Sequence, residues 1–181
     1  MSQLPQLVQA YETHIALPWK KDLAGAQKVI MLVYPREEER SLRHLHLQNI
    51  ATTTQNSGHG WFHLDWTHAI SRFLVATGYS DAYFAEPELI EGLEKELVSH
   101  LADHLEAQLR AAGPEDVVAL SGITELFGYC RLSEVIGKCE THIRGRLLIF
   151  FPGEYQNNNY RLLGARDGWD YHALPICLQT V

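Results

Sequence analysis

Carboxylates at the ends of apolar runs, and histidines at ligand-like spacing, are the residues of this sequence best suited to chemistry. Asp65 and Glu154 each close such a run. Two carboxylates in one crevice can hold a divalent cation or activate a water. Asp167, in a later turn, could join them. There are ten histidines, and His100 and His104 stand at i, i+4, a spacing that puts two imidazoles on one helical face. The local sequence is HLADH, without the Glu directly after the first His that a zinc-hydrolase helix needs. His44 and His46 fall on different helical faces, and His59, His63 and His68 span a loop, a strand and a helix start. Each histidine reads as structural or surface, and no metal site is assigned.

Nucleophiles and phosphate cradles fare no better. Ser121 in ALSGI lacks the preceding glycine of the GxSxG elbow. The turn YPREEER after the first apolar run has no glycine, and SGITELFG fits neither GxGxxG nor the P-loop pattern. Cys130, Cys139 and Cys177 form no CxxC pair and are odd in number, so they read as reduced thiols packed as small apolar groups. No catalytic residue and no cofactor are assigned.

The elements that would position these groups follow from periodicity. Residues 1–17 show Leu7, Val8, Tyr11 and Ile15 at helical spacing, stopped by Pro18. KVIMLVY at 28–34 is an unbroken apolar run, the mark of a strand buried on both faces. An amphipathic helix over 36–47 follows, with Leu42 and Leu45 inward and Glu39 able to pair with Arg43. WFHLDW is the second strand, and Thr67 is a candidate cap for HAISRFLVA. A long helix from Pro87 to about Ala112 carries leucines at 89, 93, 97, 101, 105 and 109, with an acidic opposite face. DVVALSG and RLLIFF are the third and fourth strands, separated by a helix that Ser133 could cap. NNN at 157–159 is a turn, and YRLLG, ARDG and YHALPIC suggest a terminal hairpin.

Strands alternating with helices predict a mostly parallel, Rossmann-like α/β sheet in three layers, with helices on both faces, a C-terminal β-hairpin at the edge and no P-loop. The length of 181 residues suits a single α/β domain over 1–181, with an N-terminal helix (1–17) and a core from 28 to 181. In such sheets ligands sit beyond the carboxyl ends of the strands, here Tyr34, Asp65, Ser121, Gly122, Gly153 and Glu154.

Composition narrows the classes. A net charge of −7 disfavours direct nucleic-acid binding, and the basic clusters (Lys20, Lys21, Lys28; Arg36, Arg40, Arg43) are small. The first residues lack a secretory signal, and no apolar run approaches the ~20 residues of a membrane span, so a cytoplasmic protein is expected. The C-terminal third interleaves aromatics with turn residues. Tyr155, Tyr160, Arg166, Asp167, Trp169 and Tyr171 are the candidate partner-binding residues, because Tyr, Trp and Arg dominate binding hot spots.

Five blocks carry a family resemblance: PWKKDLAGAQKVIMLVY (18–34), GHGWFHLDWT (58–67), AYFAEPEL (82–89), GRLLIFFPGEY (145–155) and YRLLGARDGWDYHALPI (160–176). Their order and spacing resemble the BrxB family, small components of the bacterial BREX phage-defence systems. The resemblance implies a role in antiviral defence beside a PglZ-type alkaline-phosphatase-fold protein, an AAA+ ATPase and a DNA methyltransferase. It supplies no catalytic residue. It favours a non-enzymatic subunit that binds partners, the PglZ-type protein first. The alternative from the residues is a metal-dependent hydrolase using acidic groups at the strand ends, and the third is a nucleic-acid binder.

Overall fold

A computed structural model of the chain describes residues 3–163 and 172–177. Its centre is a six-stranded sheet: β1 (Val29–Tyr34), β2 (Gly60–Asp65), β3 (Asp116–Ser121), β4 (Arg146–Gln156), β5 (Asn159–Leu162) and β6 (Leu174–Ile176). The order is β2-β3-β4-β1-β6, and every neighbouring pair along it is parallel. All six residues of β1 are buried, as the unbroken apolar run requires of an inner parallel strand.

Helices cover both faces. On one lie α1 (Leu4–Ile15) and α3 (Leu47–Asn56), packing Leu7, Tyr11, Ile15 and Ile50 against Ile30, Leu32, Leu148 and Phe150. On the other lie α4 (Ala69–Ala76), α6 (Glu94–Ala111) and α7 (Leu132–Cys139). They bury Phe73, Leu101, Leu105 and Val135 against Met31, Leu120, Leu147 and Ile149. Alternate residues of each inner strand feed the two cores, as the two-residue period of a strand dictates. Tyr11 ties α1 to α3 through a 2.7 Å hydrogen bond to the Thr54 hydroxyl, which itself donates to the Ile50 carbonyl. The architecture is the mostly parallel α/β sheet the sequence predicts.

Four local expectations are corrected. The segment after β1 is not one α-helix: short α2 (Glu39–Ser41) leads into a π-helical turn, Leu42–His46. The wider turn changes the side-chain phase, so Leu42 is buried while Leu45 is 64% exposed. Likewise Pro87–Leu93 is a 3₁₀ stretch preceding α6. With three residues per turn it leaves the leucine stripe out of phase, so Leu89 is exposed while Leu97, Leu101, Leu105 and Leu109 are buried. Thr67 does not cap α4, because its hydroxyl is committed to Asp65; the N-cap is His68 in the left-handed region. Ser133 lies inside α7, which begins at Leu132 so that this leucine is buried.

The hairpin is also placed differently. It joins the outer end of β4 to β5 through Asn157 and Asn158, both at positive φ, the backbone that a two-residue hairpin turn demands. β6 then runs parallel to β1 rather than antiparallel to β5, satisfying the open edge of the most buried strand. The candidate turn at 165–168 lies outside the described residues.

Candidate functional site at the strand ends

The carboxyl ends of β1 and β2 are joined by a strap of side chains. The π-helical turn projects Arg43 toward β2. Its Nη2 donates to Asp65 Oδ2 at 2.6 Å and its Nη1 to the Thr67 hydroxyl at 2.6 Å. Thr67 donates its backbone N–H and its hydroxyl to Asp65 Oδ1, at 2.9 and 2.7 Å. Glu39 lies 4.0 Å from Arg43 and accepts a hydrogen bond from the Tyr34 hydroxyl. Burial pushes the Asp65 carboxyl up, but the Thr67 donors and the Arg43 guanidinium outweigh it and hold the group below its ordinary range. Gly122 completes the corner: it sits at φ 75, and a Cβ there would run into the Thr67 backbone nitrogen.

Beside this strap, His63 Nε2 and Ser121 Oγ lie 2.8 Å apart. Burial lowers the His63 pKa against the pull of Asp65, so the ring is neutral near pH 7. The pair resembles a base and a nucleophile, but Ser121 is only 1% exposed, and no substrate carbonyl reaches a hydroxyl so enclosed. The cluster fastens loop to sheet, with its donors and acceptors turned on one another.

A separate cleft of about 1150 Å³ opens at the carboxyl ends of β1, β4 and β6. Tyr34, Glu37, Glu38, Glu154 and Tyr155 line it, over an apolar floor that includes Leu4, Leu7 and Val33. Of the strand-end residues named from sequence, Tyr34, Gly153 and Glu154 fall here, whereas Asp65, Ser121 and Gly122 belong to the β2–β3 corner. β3 lies between β2 and β4, so Asp65 and Glu154 stand on strands roughly 9–10 Å apart and do not share an ion. No group of three or more His, Cys, Asp or Glu able to hold a metal occurs among the described residues.

The candidate partner-binding residues divide. Tyr155 is half-buried at the β4–β5 hairpin, with its hydroxyl donating to Asn158 Oδ1 at 3.1 Å. Tyr160 is a core residue, 1% exposed. It stacks near Phe151 and Tyr155 and donates to the Ala173 carbonyl at 2.9 Å. Arg166, Asp167, Trp169 and Tyr171 lie outside the described residues. The basic clusters do not merge. Lys28 precedes β1 and donates to the Ile143 carbonyl, whereas Arg36 and Arg43 follow β1 and pair with Glu37 and Asp65. The strand between them is ~20 Å long.

One surface was not foreseen. Between α4, the 3₁₀ stretch 87–93 and residues 127–129 runs a groove of about 450 Å³, lined by Phe73, Ile90, Leu97 and Phe127 together with the carboxylate-bearing Glu91 and Glu94. α5 (Ser80–Ala85) and the 3₁₀ stretch contain no buried residue, yet they carry Tyr83, Phe84, Leu89, Ile90 and Leu93. The visible signal was there: an aromatic and leucine-rich segment whose helical phase breaks at Pro87 and Gly92.

No helix among the described residues is long and apolar enough to cross a membrane. The family model described as BREX protein BrxB matches residues 80–176, just over half of the chain. Neither the curated proteins nor the solved structures give a significant match.

Proposed function

The chain belongs to the BrxB family of BREX proteins, and from that premise we propose that it serves as a non-catalytic, protein-binding subunit of a cytoplasmic phage-defence complex. Its direct partner in this reading is the PglZ-type phosphatase-fold protein, with the AAA+ ATPase and the methyltransferase as further members of the assembly. One observation carries it. At the β2–β3 corner the groups that could do chemistry are bonded to one another, in the Arg43–Asp65–Thr67 strap and the enclosed His63–Ser121 pair. Apolar and aromatic side chains, Phe84, Leu89, Phe127 and Tyr129 among them, stand exposed beside these closed clusters, and such residues are enriched in contact surfaces.

Co-expression with the PglZ-type protein of the same gene cluster, followed by size exclusion with light scattering, tests the reading. A complex of defined stoichiometry is expected. Substituting Tyr155, Trp169 and Tyr171 by Ala then reports whether the C-terminal aromatics form the contact. Separate elution at micromolar concentrations would remove the PglZ-type protein as direct partner.

A further inference from the structure

We propose that the groove between α4, the Pro87–Leu93 stretch and residues 127–129 is a docking site for a basic amphipathic helix of another protein. The inference rests on the partner-binding reading, but not on which defence component is the partner.

The apolar argument comes first. Within Ser80–Leu93, Tyr83, Ile90 and Leu93 pack partly buried against the core, whereas Phe84 and Leu89, which would ordinarily be drawn into it, stay exposed. Phe84 is 77% exposed and Phe127 is 49% exposed, with Tyr79, Leu89 and Tyr129 also open. These residues belong to the elements that frame the groove or adjoin it, so the exposed apolar groups concentrate on one side of the molecule. Concentration of that kind marks an interaction site rather than scattered surface residues.

Charge identifies the occupant. Asp81, Glu86, Glu88, Glu91, Glu94 and Glu96 fall within the same stretch of chain, against the single cation Lys95. All six acids are exposed, and none is ion-paired among the described residues. Glu91 and Glu94 line the groove itself beside its apolar side chains, a pairing that attracts a segment whose apolar side chains are flanked by Lys and Arg. The walls are helical turns and a loop, with no free sheet edge. Helix-in-groove docking therefore fits, with anchors at i, i+3 and i+4. A second copy of the chain would bring a like-charged border against this one. A nucleic acid would meet the same repulsion.

The test uses the full-length protein, fluorescently labelled, against an array of peptides tiled over the PglZ-type protein, the ATPase and the methyltransferase of its gene cluster. Peptides that bind are then titrated in solution by fluorescence anisotropy. Wild type is expected to select peptides with helical apolar spacing and flanking Lys or Arg. Phe127→Ser with Tyr129→Ser, both lining the groove, should weaken their binding at least tenfold. Glu91→Lys with Glu94→Lys should weaken it several-fold and flatten its dependence on salt. Both pairs are exposed, and circular dichroism checks that the variants fold. Selection of no such peptide, or equal binding by the double serine variant, overturns the proposal. A PglZ complex that survives Phe127→Ser with Tyr129→Ser unchanged, while the selected peptides bind that variant as they bind wild type, overturns the groove and spares the partner. Groove-dependent binding of peptides from the ATPase or methyltransferase alone supports the groove and overturns the PglZ assignment.

Discussion

Asp65 is held below its ordinary pKa by Thr67 and Arg43, so the linkage has a definite sign. A carboxyl depressed in the fold contributes stability above its unfolded value of about 3.9 and loses it as pH falls through the folded value. Asp65→Asn should cost about 1 kcal/mol at neutral pH, once solvent screening of this partly exposed pair is allowed for. The gap from wild type should close in acid, as urea titrations at several pH values will show; a gap constant across pH would disprove the charge's role. The thiols give a second residue-scale expectation. Burial, helped by nearby Glu residues, pushes Cys130 and Cys139 up to about 12, leaving almost no thiolate at pH 8. Iodoacetamide should leave both unmodified in the native protein and label them in denaturant, read by mass spectrometry. Their apolar packing was legible from spacing and number alone. The strand-end position of Asp65 and Ser121 was legible too, because the apolar runs end there. Their partners were not: Arg43 is 22 residues from Asp65 and His63 is 58 from Ser121, and no local pattern reports contacts at that separation.

Among the elements, the strands were the most readable, since β1, β3 and the inner part of β4 are dense apolar runs that few other structures can bury. Helical phase was less so. The π-helical turn at Leu42–His46 depends on tertiary demands, including the reach of Arg43 to β2, and it reverses the fate of Leu45. The contrast is measurable. Leu42→Ala should cost about 2–5 kcal/mol as a cavity mutation, while Leu45→Ala should lie within about 0.5 kcal/mol of wild type. Equal losses in thermal or urea unfolding would mean that a regular α-helix runs through this segment. The pairing of β6 was hidden for another reason. A short strand containing Pro175 gives no indication of which edge it joins, and proline needs an edge where its missing N–H is harmless.

At the scale of the whole molecule, both faces of the sheet are covered by helices, while Phe84, Leu89, Phe127 and Tyr129 stay exposed. The family match, residues 80–176, covers the 3₁₀ stretch and residues 127–129 of the groove but not α4. β1 is a seam next to the sheet edge: it pairs with β4 on one side and with the edge strand β6 on the other. Deleting residues 172–181 should bare the β1 edge, and a bare apolar edge is a template for pairing with other chains. Light scattering of the truncated protein should show self-association beyond that of the full chain; no increase on truncation would contradict the seam. The same pairing pattern sets an order of events on the ribosome. Val29–Tyr34 emerges early, but its partners begin at Arg146 and Leu174. At about 5–20 residues per second, the nascent strand waits on the order of ten seconds for its neighbours. During synthesis this apolar hexapeptide is a natural client for chaperones.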